Sequence, residues 1–345
     1  KGDVIEKIHF SPTQRLHESG YRLPFEEAIK PVAPRRYQHA QRSREYNRAE
    51  AVGNPCGYLP PAGGLQNIIY RDTQNDLLEL WRDDSGATGT GNLTRACNGP
   101  SAAGDPFVYL EPPTGTQIAL FRGVDGHVKS FYWSTGDVGY DHLTASVGAP
   151  KAVGNPVGYF EAAANTNHVI YRKADGNLHE LWWTGQAAVS HGDITDQAGA
   201  LKATGDPTAF FDTATATNIV FYLATAGHIH SVYWSTGPIR HEDLSGTAQA
   251  PQPAGDPHAY FTAHDNANQV VYRGVDGHIH ELWWVGAEVV SHWDISAIAG
   301  APAAGSDPVS FYSPHTNTKH VFYRATDGHL IELWWFPGGG APAFV

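Results

Sequence analysis

The chain has 345 residues, with 41% hydrophobic and 12% aromatic content, 37 Gly, 23 Pro and a formal net charge of −12. That apolar share is ample for a core, and no run of ~18 apolar residues is present to span a bilayer. The charge is uneven: residues 1–51 hold ten Lys and Arg against seven Asp and Glu, the remainder 13 against 28. The acidic remainder is therefore a poor partner for a phosphate backbone, and nucleic acid is excluded as its ligand.

There is no Met and residue 1 is Lys, which is expected of a processed or trimmed product. A removed secretory signal is one explanation, and a secreted or cell-surface location follows from it; trimming of the gene product is the other. Within residues 1–51, the stretch 3–10 carries Ile5, Ile8 and Phe10 and predicts one strand. Pro31 and Pro34 then precede a charged segment ending at Arg48, which predicts an extended arm and a short polar helix. The basic arm could touch nucleic acid, but packing on its own acidic body or on a protein partner is preferred. The other reading is a diverged seventh blade, since 51 residues is one repeat length. The arm lacks the signatures of the later repeats, described next, so the arm reading is kept.

From residue 52 the chain repeats. Gly-Asx-Pro openings, or Ser-Asp-Pro in the last copy, start at 53, 104, 154, 205, 255 and 306, spaced 51, 50, 51, 50 and 51. Each is followed by an aromatic run, then by a segment such as VVYRGVDGHIHELWW (270–284). The first five copies close with NLT (92–94), HLT (142–144), DIT (193–195), DLS (243–245) or DIS (294–296). A fixed period of this size means one supersecondary unit repeated, and near-absence of insertions argues for a closed ring.

Each copy reads as four strands, A to D. In the fifth, A is His258–Thr262, B is Gln269–Arg273, C is Ile279–Trp284 and D is Val289–Ser296. The B–C turn is Val275-Asp276-Gly277. Copy four has Ala226 before its Gly, and Ala disfavours positive φ, so a type I turn with a left-handed Gly bulge is expected. That choice pairs Arg273 with Ile279 and Val271 with Glu281. Arg273, Glu281 and Trp283 then share one face; Tyr272, His280, Leu282 and Trp284 share the other. Both faces are largely apolar, as in sheets sandwiched between neighbours. The fold expected is all-β, a six-bladed β-propeller of about 50-residue four-stranded blades over 52–345. The last copy has no clear strand D, so 3–10 is expected to close the ring. Cys56 and Cys97 are too few for a disulfide framework but fall near one face of the ring, where a disulfide could form.

Three side-chain sets could carry chemistry. Asn54, Asp105, Asn155, Asp206, Asp256 and Asp307 gather at one mouth of the channel, where Asp105, Asp206, Asp256 and Asp307 could hold a cation. The preferred reading is an Asx-turn before strand A, with no cofactor. His-x-His pairs at 228/230 and 278/280 put two rings on one face. A zinc site needs four ligands, and Lys129, Leu78 and Ile331 replace the second His elsewhere, so a site in every blade is excluded and a single site left open. The third set is Arg71/Glu79, Arg172/Glu180, Arg273/Glu281 and Arg324/Glu332. Copy two keeps Arg122 with Ser130, and copy four has Leu223 and Ser231. Such groups could be ion pairs buried between blades. They could instead hold ring hydroxyls while Trp182, Trp283 or Trp334 stacks on a sugar's apolar face. Their absence from copy four favours the second reading.

The Val-Tyr-Arg end of strand B, the Asp-Gly turn and a strand C with Glu followed by Trp resemble the lectin propellers with about 50-residue blades: the fungal fucose-binding lectins and the bacterial and tectonin-type sugar-binding propellers. The resemblance implies that Arg of strand B and Glu of strand C hold a sugar with an aromatic of the adjacent blade. In those lectins the Arg precedes the aromatics of strand B, whereas here Arg71, Arg172, Arg273 and Arg324 follow them. It implies non-catalytic, multivalent glycan binding. A propeller lyase or glycoside hydrolase is the enzyme alternative, although no long loop and no nucleophile, zincin, Walker or dinucleotide motif is present. A protein-interaction scaffold tethered by residues 1–51 is the third reading.

Overall fold

A computed structural model of the chain describes residues 50–58, 66–83, 85–134, 136–338 and 341–345. Residues 1–49, which include the expected strand at 3–10 and nearly all of the arm, lie outside them. The described residues form six antiparallel four-stranded sheets, each taken from one continuous stretch and ordered in space as in sequence.

Blade 1 contains β1 (Ala51–Tyr58), β2 (Gln66–Asp72), β3 (Leu77–Arg82) and β4 (Thr88–Asn92); blade 2, β5 (Phe107–Glu111), β6 (Thr116–Arg122), β7 (Val128–Trp133) and β8 (Gly139–Asp141). Blade 3 has β9 (Val157–Glu161), β10 (Thr166–Arg172), β11 (Leu178–Trp183) and β12 (Ser190–Asp193); blade 4, β13 (Thr208–Asp212), β14 (Thr217–Leu223), β15 (Ile229–Trp234) and β16 (Arg240–Asp243). Blade 5 has β17 (His258–Thr262), β18 (Ala267–Arg273), β19 (Ile279–Val285) and β20 (Ser291–Asp294); blade 6, β21 (Val309–Ser313), β22 (Thr318–Arg324), β23 (Leu330–Trp335) and β24 (Ala343–Phe344). The first strands of successive blades lie side by side, β1 by β5, β5 by β9 and on to β21, so they are the inner strands. This is the six-bladed propeller expected from the repeat.

The register is the expected one: Arg273 lies opposite Ile279 and Val271 opposite Glu281. Gly277 has φ +80°, and its counterparts Asn75 and Gly227 have +65° and +78°, whereas Asp276 and Ala226 keep negative φ. The turn is therefore the bulged one that needs a left-handed residue only at its last position. Asp276 Oδ1 accepts the His278 N–H at 3.0 Å and fixes the turn.

Two expectations are corrected. The fourth strand of blade 6 comes from the C-terminal end, with Ala343 opposite Trp334 and Phe344 opposite Leu333. The position reserved for an N-terminal strand is thus filled. Strand D is also shorter than expected: in blade 5 it ends at Asp294, and the Asp-Ile-Ser run turns into a helix. Among the described residues five helices form: α1 (Leu93–Ala96), α2 (Leu143–Ser146), α3 (Ile194–Ala198), α4 (Leu244–Thr247) and α5 (Ile295–Ala299). In α1 and in α3 to α5 the N-cap is Asx, as Asp294 accepting from Ala297 N–H at 2.8 Å, and it competes successfully with continued strand pairing; α2 has His142 there, with no side-chain cap bond. The apolar residue that follows, Ile194 or Ile295, is fully buried. The next hydroxyl caps the neighbouring strand: Thr195 Oγ1 accepts from Leu178 N–H at 2.8 Å, and Ser296 Oγ from Ile279 N–H at 2.9 Å.

The core is a set of apolar layers, one between each successive pair of blades. Between blades 3 and 4 it holds Val157, Tyr159, Ile170 and Leu178 against Val220, Tyr222 and Val232. Burying a side chain of this size stabilises by roughly 1.5–3 kcal/mol. The strand-B tyrosines use their hydroxyls to stitch the links between blades: Tyr171, Tyr222, Tyr272 and Tyr323 donate to the carbonyls of Pro150, Leu201, Pro251 and Pro302. Cys56 and Cys97 are free thiols beside the blade 1–2 layer, and burial pushes the Cys56 thiol up to about 11.

Candidate functional site

The Asx residues of the openings do gather in sequence around the inner strands. Each accepts from its predecessor: Asn155 Oδ1 takes the Asp105 N–H at 3.0 Å, Asp206 Oδ2 the Asn155 N–H at 2.9 Å, and Asp307 Oδ2 the Asp256 N–H at 3.1 Å. Asn54 Nδ2 donates to Asp105 Oδ2 at 2.9 Å. The Gly before each Asx is explained by this hand-over, since a Cβ on Gly205 would lie 1.7 Å from Asp256 Oδ1. Burial, with the charges of Asp206 and Asp307, raises the Asp256 carboxyl to about 6, opposed by a hydrogen bond from the Asp206 backbone and by Arg172.

The strand-B arginines join this ring rather than the glutamates. Arg273 Nη2 lies 3.0 Å from Asp307 Oδ1 and donates to the Ala254 carbonyl at 3.0 Å. Arg172 Nη2 lies 3.6 Å from Asp206 Oδ1, and Arg71 Nη2 4.0 Å from Asp105 Oδ1. Arg324, more exposed, donates to the Gly305 carbonyl. Among the described residues no ion pair joins the Arg and Glu of one blade. The cause is register: the Arg closes strand B beside the turn, and the Glu stands one same-face position further along strand C.

The glutamates belong to a polar layer between blades, below the ring. Glu180 Oε1 lies 2.6 Å from His168 Nδ1, and His168 Nε2 lies 3.0 Å from Glu161 Oε2. Asn218 Nδ2, from blade 4, donates to the same Glu161 oxygen at 3.2 Å. His168 is stacked on Tyr159, with centroids 5.0 Å apart and planes 8° apart, and faces Trp234 of blade 4 at 6.4 Å. Burial raises the Glu180 carboxyl, and His168 partly offsets that. Glu281 accepts from the Tyr260 hydroxyl at 3.0 Å, and burial lifts it to about 7 against the pull of Lys319. Glu79 also rises to about 7 by burial, moderated by the Trp133 side chain. Glu332 lies 2.6 Å from His320 Nδ1. Trp182, Trp283 and Trp334 are half-buried on the same faces as these glutamates.

Where strand C carries Ser130 or Ser231, the acid is supplied by strand A instead. Glu111 Oε1 accepts from Asn167 Nδ2 at 2.8 Å, and Asp212 Oδ2 from Asn268 Nδ2 at 3.1 Å. Blade 3 carries both, Glu161 on strand A and Glu180 on strand C, so the two acids are separate positions of the layer. Sequence reading missed His168, Glu161, Trp234 and this amide row. The signal was present: Asn167, Asn218 and Asn268 all lie four residues before the strand-B tyrosine, with Gln117 at the same place in blade 2. An open depression of about 200 Å³ lies at the foot of Trp234, walled by Thr217, Tyr233, Thr236, Pro238 and Arg240.

No family model and no curated protein matches the chain. Solved structures do match in fold. The BP39L lectin from Burkholderia pseudomallei superposes with a TM-score of 0.69 at 15% identity, covering 86% of this chain and 85% of that one. An Aleuria aurantia lectin variant in complex with Fucα1-6GlcNAc gives 0.61 at 13% identity, covering 86% and 96%. A variant of AofleA from Arthrobotrys oligospora gives 0.58 at 15% identity, covering 86% of each chain. The Aleuria lectin is itself described as a six-bladed β-propeller, and that fold is what this chain shares with them.

Proposed function

We propose that the chain is a non-catalytic, multivalent carbohydrate-binding propeller whose sites are the clefts between blades. The observation that carries this reading is the cleft between blades 3 and 4. Trp182 and Trp234, both half-buried, flank a chain of polar groups running from Asn218 through Glu161 and His168 to Glu180. A sugar ring needs that combination: an aromatic plate for its apolar face, and fixed acceptors and donors for its hydroxyls. The depression beside Trp234 falls below the roughly 300–1,000 Å³ of pockets for larger ligands, which suits one sugar ring. The fold neighbours support the ligand class, because the Aleuria lectin is described with Fucα1-6GlcNAc and with α-methyl-L-fucoside. Ligand-binding roles for Glu79, Glu180, Glu281 and Glu332 follow, with Trp182, Trp283 and Trp334 as stacking residues. Arg71, Arg172, Arg273 and Arg324 hold the ring that sets the clefts' spacing. Repetition around the ring supplies avidity on a glycan-covered surface. Such a target supports a location outside the cell, and the basic N-terminal residues 1–51 are proposed to meet a protein partner.

A glycan array covering neutral, fucosylated and acidic glycans, followed by calorimetry, tests the reading. We expect saccharide binding that weakens at least tenfold in Trp234→Ala and Trp182→Ala, at unchanged melting temperature. Absence of binding across the whole array would overturn it. Release of reducing sugar from a polysaccharide, lost in Glu161→Gln, would instead move the two carboxylates around His168 to acid–base roles.

A further inference from the structure

A second constellation lies away from the clefts, at the outer corner where the B–C turn meets strand D. The second residue of strand C stands opposite the residue that caps the following helix. The pairs are Leu78/Asn92, His179/Asp193, His230/Asp243 and His280/Asp294, and in blade 2 the Lys129 side chain reaches His142. In blades 1 to 3 this corner holds a cation built into the chain. Arg95 Nε sits 2.9 Å from Asp76. Lys129 Nζ, almost wholly buried, sits 2.7 Å from Asp125 Oδ2 and 2.9 Å from His142 Nδ1. Lys173 Nζ sits 2.6 Å from Asp193 and 3.2 Å from Asp175.

Blades 4 and 5 carry Ala224 and Gly274 where blade 3 has Lys173, and His230 and His280 where blade 2 has Lys129. The acids stay. In blade 4, His228 Nδ1 lies 2.7 Å and His230 Nε2 3.9 Å from Asp243 Oδ2. In blade 5, His278 Nδ1 lies 2.6 Å from Asp294 Oδ2, and His280 Nε2 lies 3.1 Å from Asp276 Oδ1. The donor atoms of His228, His230 and Asp243, and those of Asp276, His280 and Asp294, each fall within 4.8 Å of one another. Donors in a tetrahedral zinc site with bonds of about 2.0 Å stand about 3.3 Å apart, inside that envelope. His230 is 4% exposed, yet neither of its ring nitrogens has a hydrogen-bond partner. An imidazole left so is costly unless something accepts its lone pair.

We propose that the outer corners of blades 4 and 5 each bind a divalent transition metal of the zinc class, replacing the lysine of the corresponding corners in blades 2 and 3. Blade 4 supplies His228, His230 and Asp243; blade 5 supplies Asp276, His280 and Asp294. Paired imidazoles with carboxylates select zinc-like ions over calcium or magnesium, which prefer all-oxygen sets. The half-exposed side chains of His228 and His278 leave each corner open to entry from solvent.

Titration of the full chain with zinc sulfate, read by calorimetry, tests this independently of any glycan. The His228→Ala/Asp276→Asn double variant is expected to lose two equivalents of micromolar binding relative to the parent, and each single variant one. Neither side chain is in the core, so the fold should survive. His230→Lys and His280→Lys restore the built-in ammonium and are expected to abolish the same binding while keeping the melting temperature. No zinc binding at micromolar concentration by the parent chain, or binding undiminished in the double variant, would falsify the proposal.

Discussion

Glu281 is a carboxyl held in a layer where its charged form is disfavoured, and that has a direct consequence for pH. Its folded pKa of about 7 lies above the ordinary 4.5. The unfolded chain therefore releases this proton first, and stability falls as pH rises from about 4.5 to about 7, then levels. The linkage is on the order of 3 kcal/mol. Glu281→Gln keeps the acceptor for the Tyr260 hydroxyl and removes the titration. We expect it to raise the melting temperature at pH 8 by several degrees and to match the parent near pH 4.5; equal melting curves at pH 8 would show that Glu281 is not held neutral. Buried His258, pushed down to about 4, works in the opposite sense: its contribution is lost as pH falls from about 6.5 towards 4. Residue types were legible in the sequence where the role was repeated: the Gly or Asn of the turn and the strand-B tyrosine followed from period and φ. The destination of the Arg and Glu side chains was not. Register placed both on one face, but only three dimensions show that the Arg reaches an Asp of the next blade, about 34 residues on.

At the scale of the element, the five helices show one motif read correctly as a repeat and wrongly as a strand. Asp-Ile-Thr has a β-branched pair that fits a strand by propensity, but the Asp caps and the hydroxyl serves another chain segment. Period-2 patterning over three residues cannot separate these outcomes, and the cap decides. Thr195 is the sharpest test. Thr195→Val preserves shape and leaves the Leu178 N–H buried without an acceptor, which costs about 1–3 kcal/mol. Urea unfolding should show that loss, with an unchanged far-ultraviolet spectrum. Thr114→Val, at an exposed A–B turn, should change stability by only a few tenths of that.

At the scale of the molecule, the ring was legible because spacing alone, alternating 51 and 50, leaves no room for irregular modules. How blade 6 completes its sheet was not, because Ala343–Phe344 is too short to carry a strand signature. Removing Ala343–Val345 takes the partner strand from β23 and uncovers its edge. We expect a lower melting temperature, and the first new protease cuts within 309–338, as limited proteolysis with mass mapping would show; unchanged cleavage there would mean that the last strand contributes little.

The inter-blade layer has an asymmetry with a further consequence. The face that a blade turns back towards its predecessor is constant in blades 3 to 5, Asn167 with Trp183, Asn218 with Trp234 and Asn268 with Trp284, while blades 2 and 6 have Gln117 and Lys319 in place of the Asn. The face turned forward varies, offering Glu111, or Glu161 with His168, or Asp212. In blades 3 to 5 one socket accepts each of the plugs. Blades are then interchangeable neighbours, and their number is counted by the curvature of the inner strands and not by the chemistry of the joints. Exchanging whole blades between positions should leave a closed ring while rearranging the order of its clefts. A chain assembled in that way could change what it recognises without solving its folding problem again.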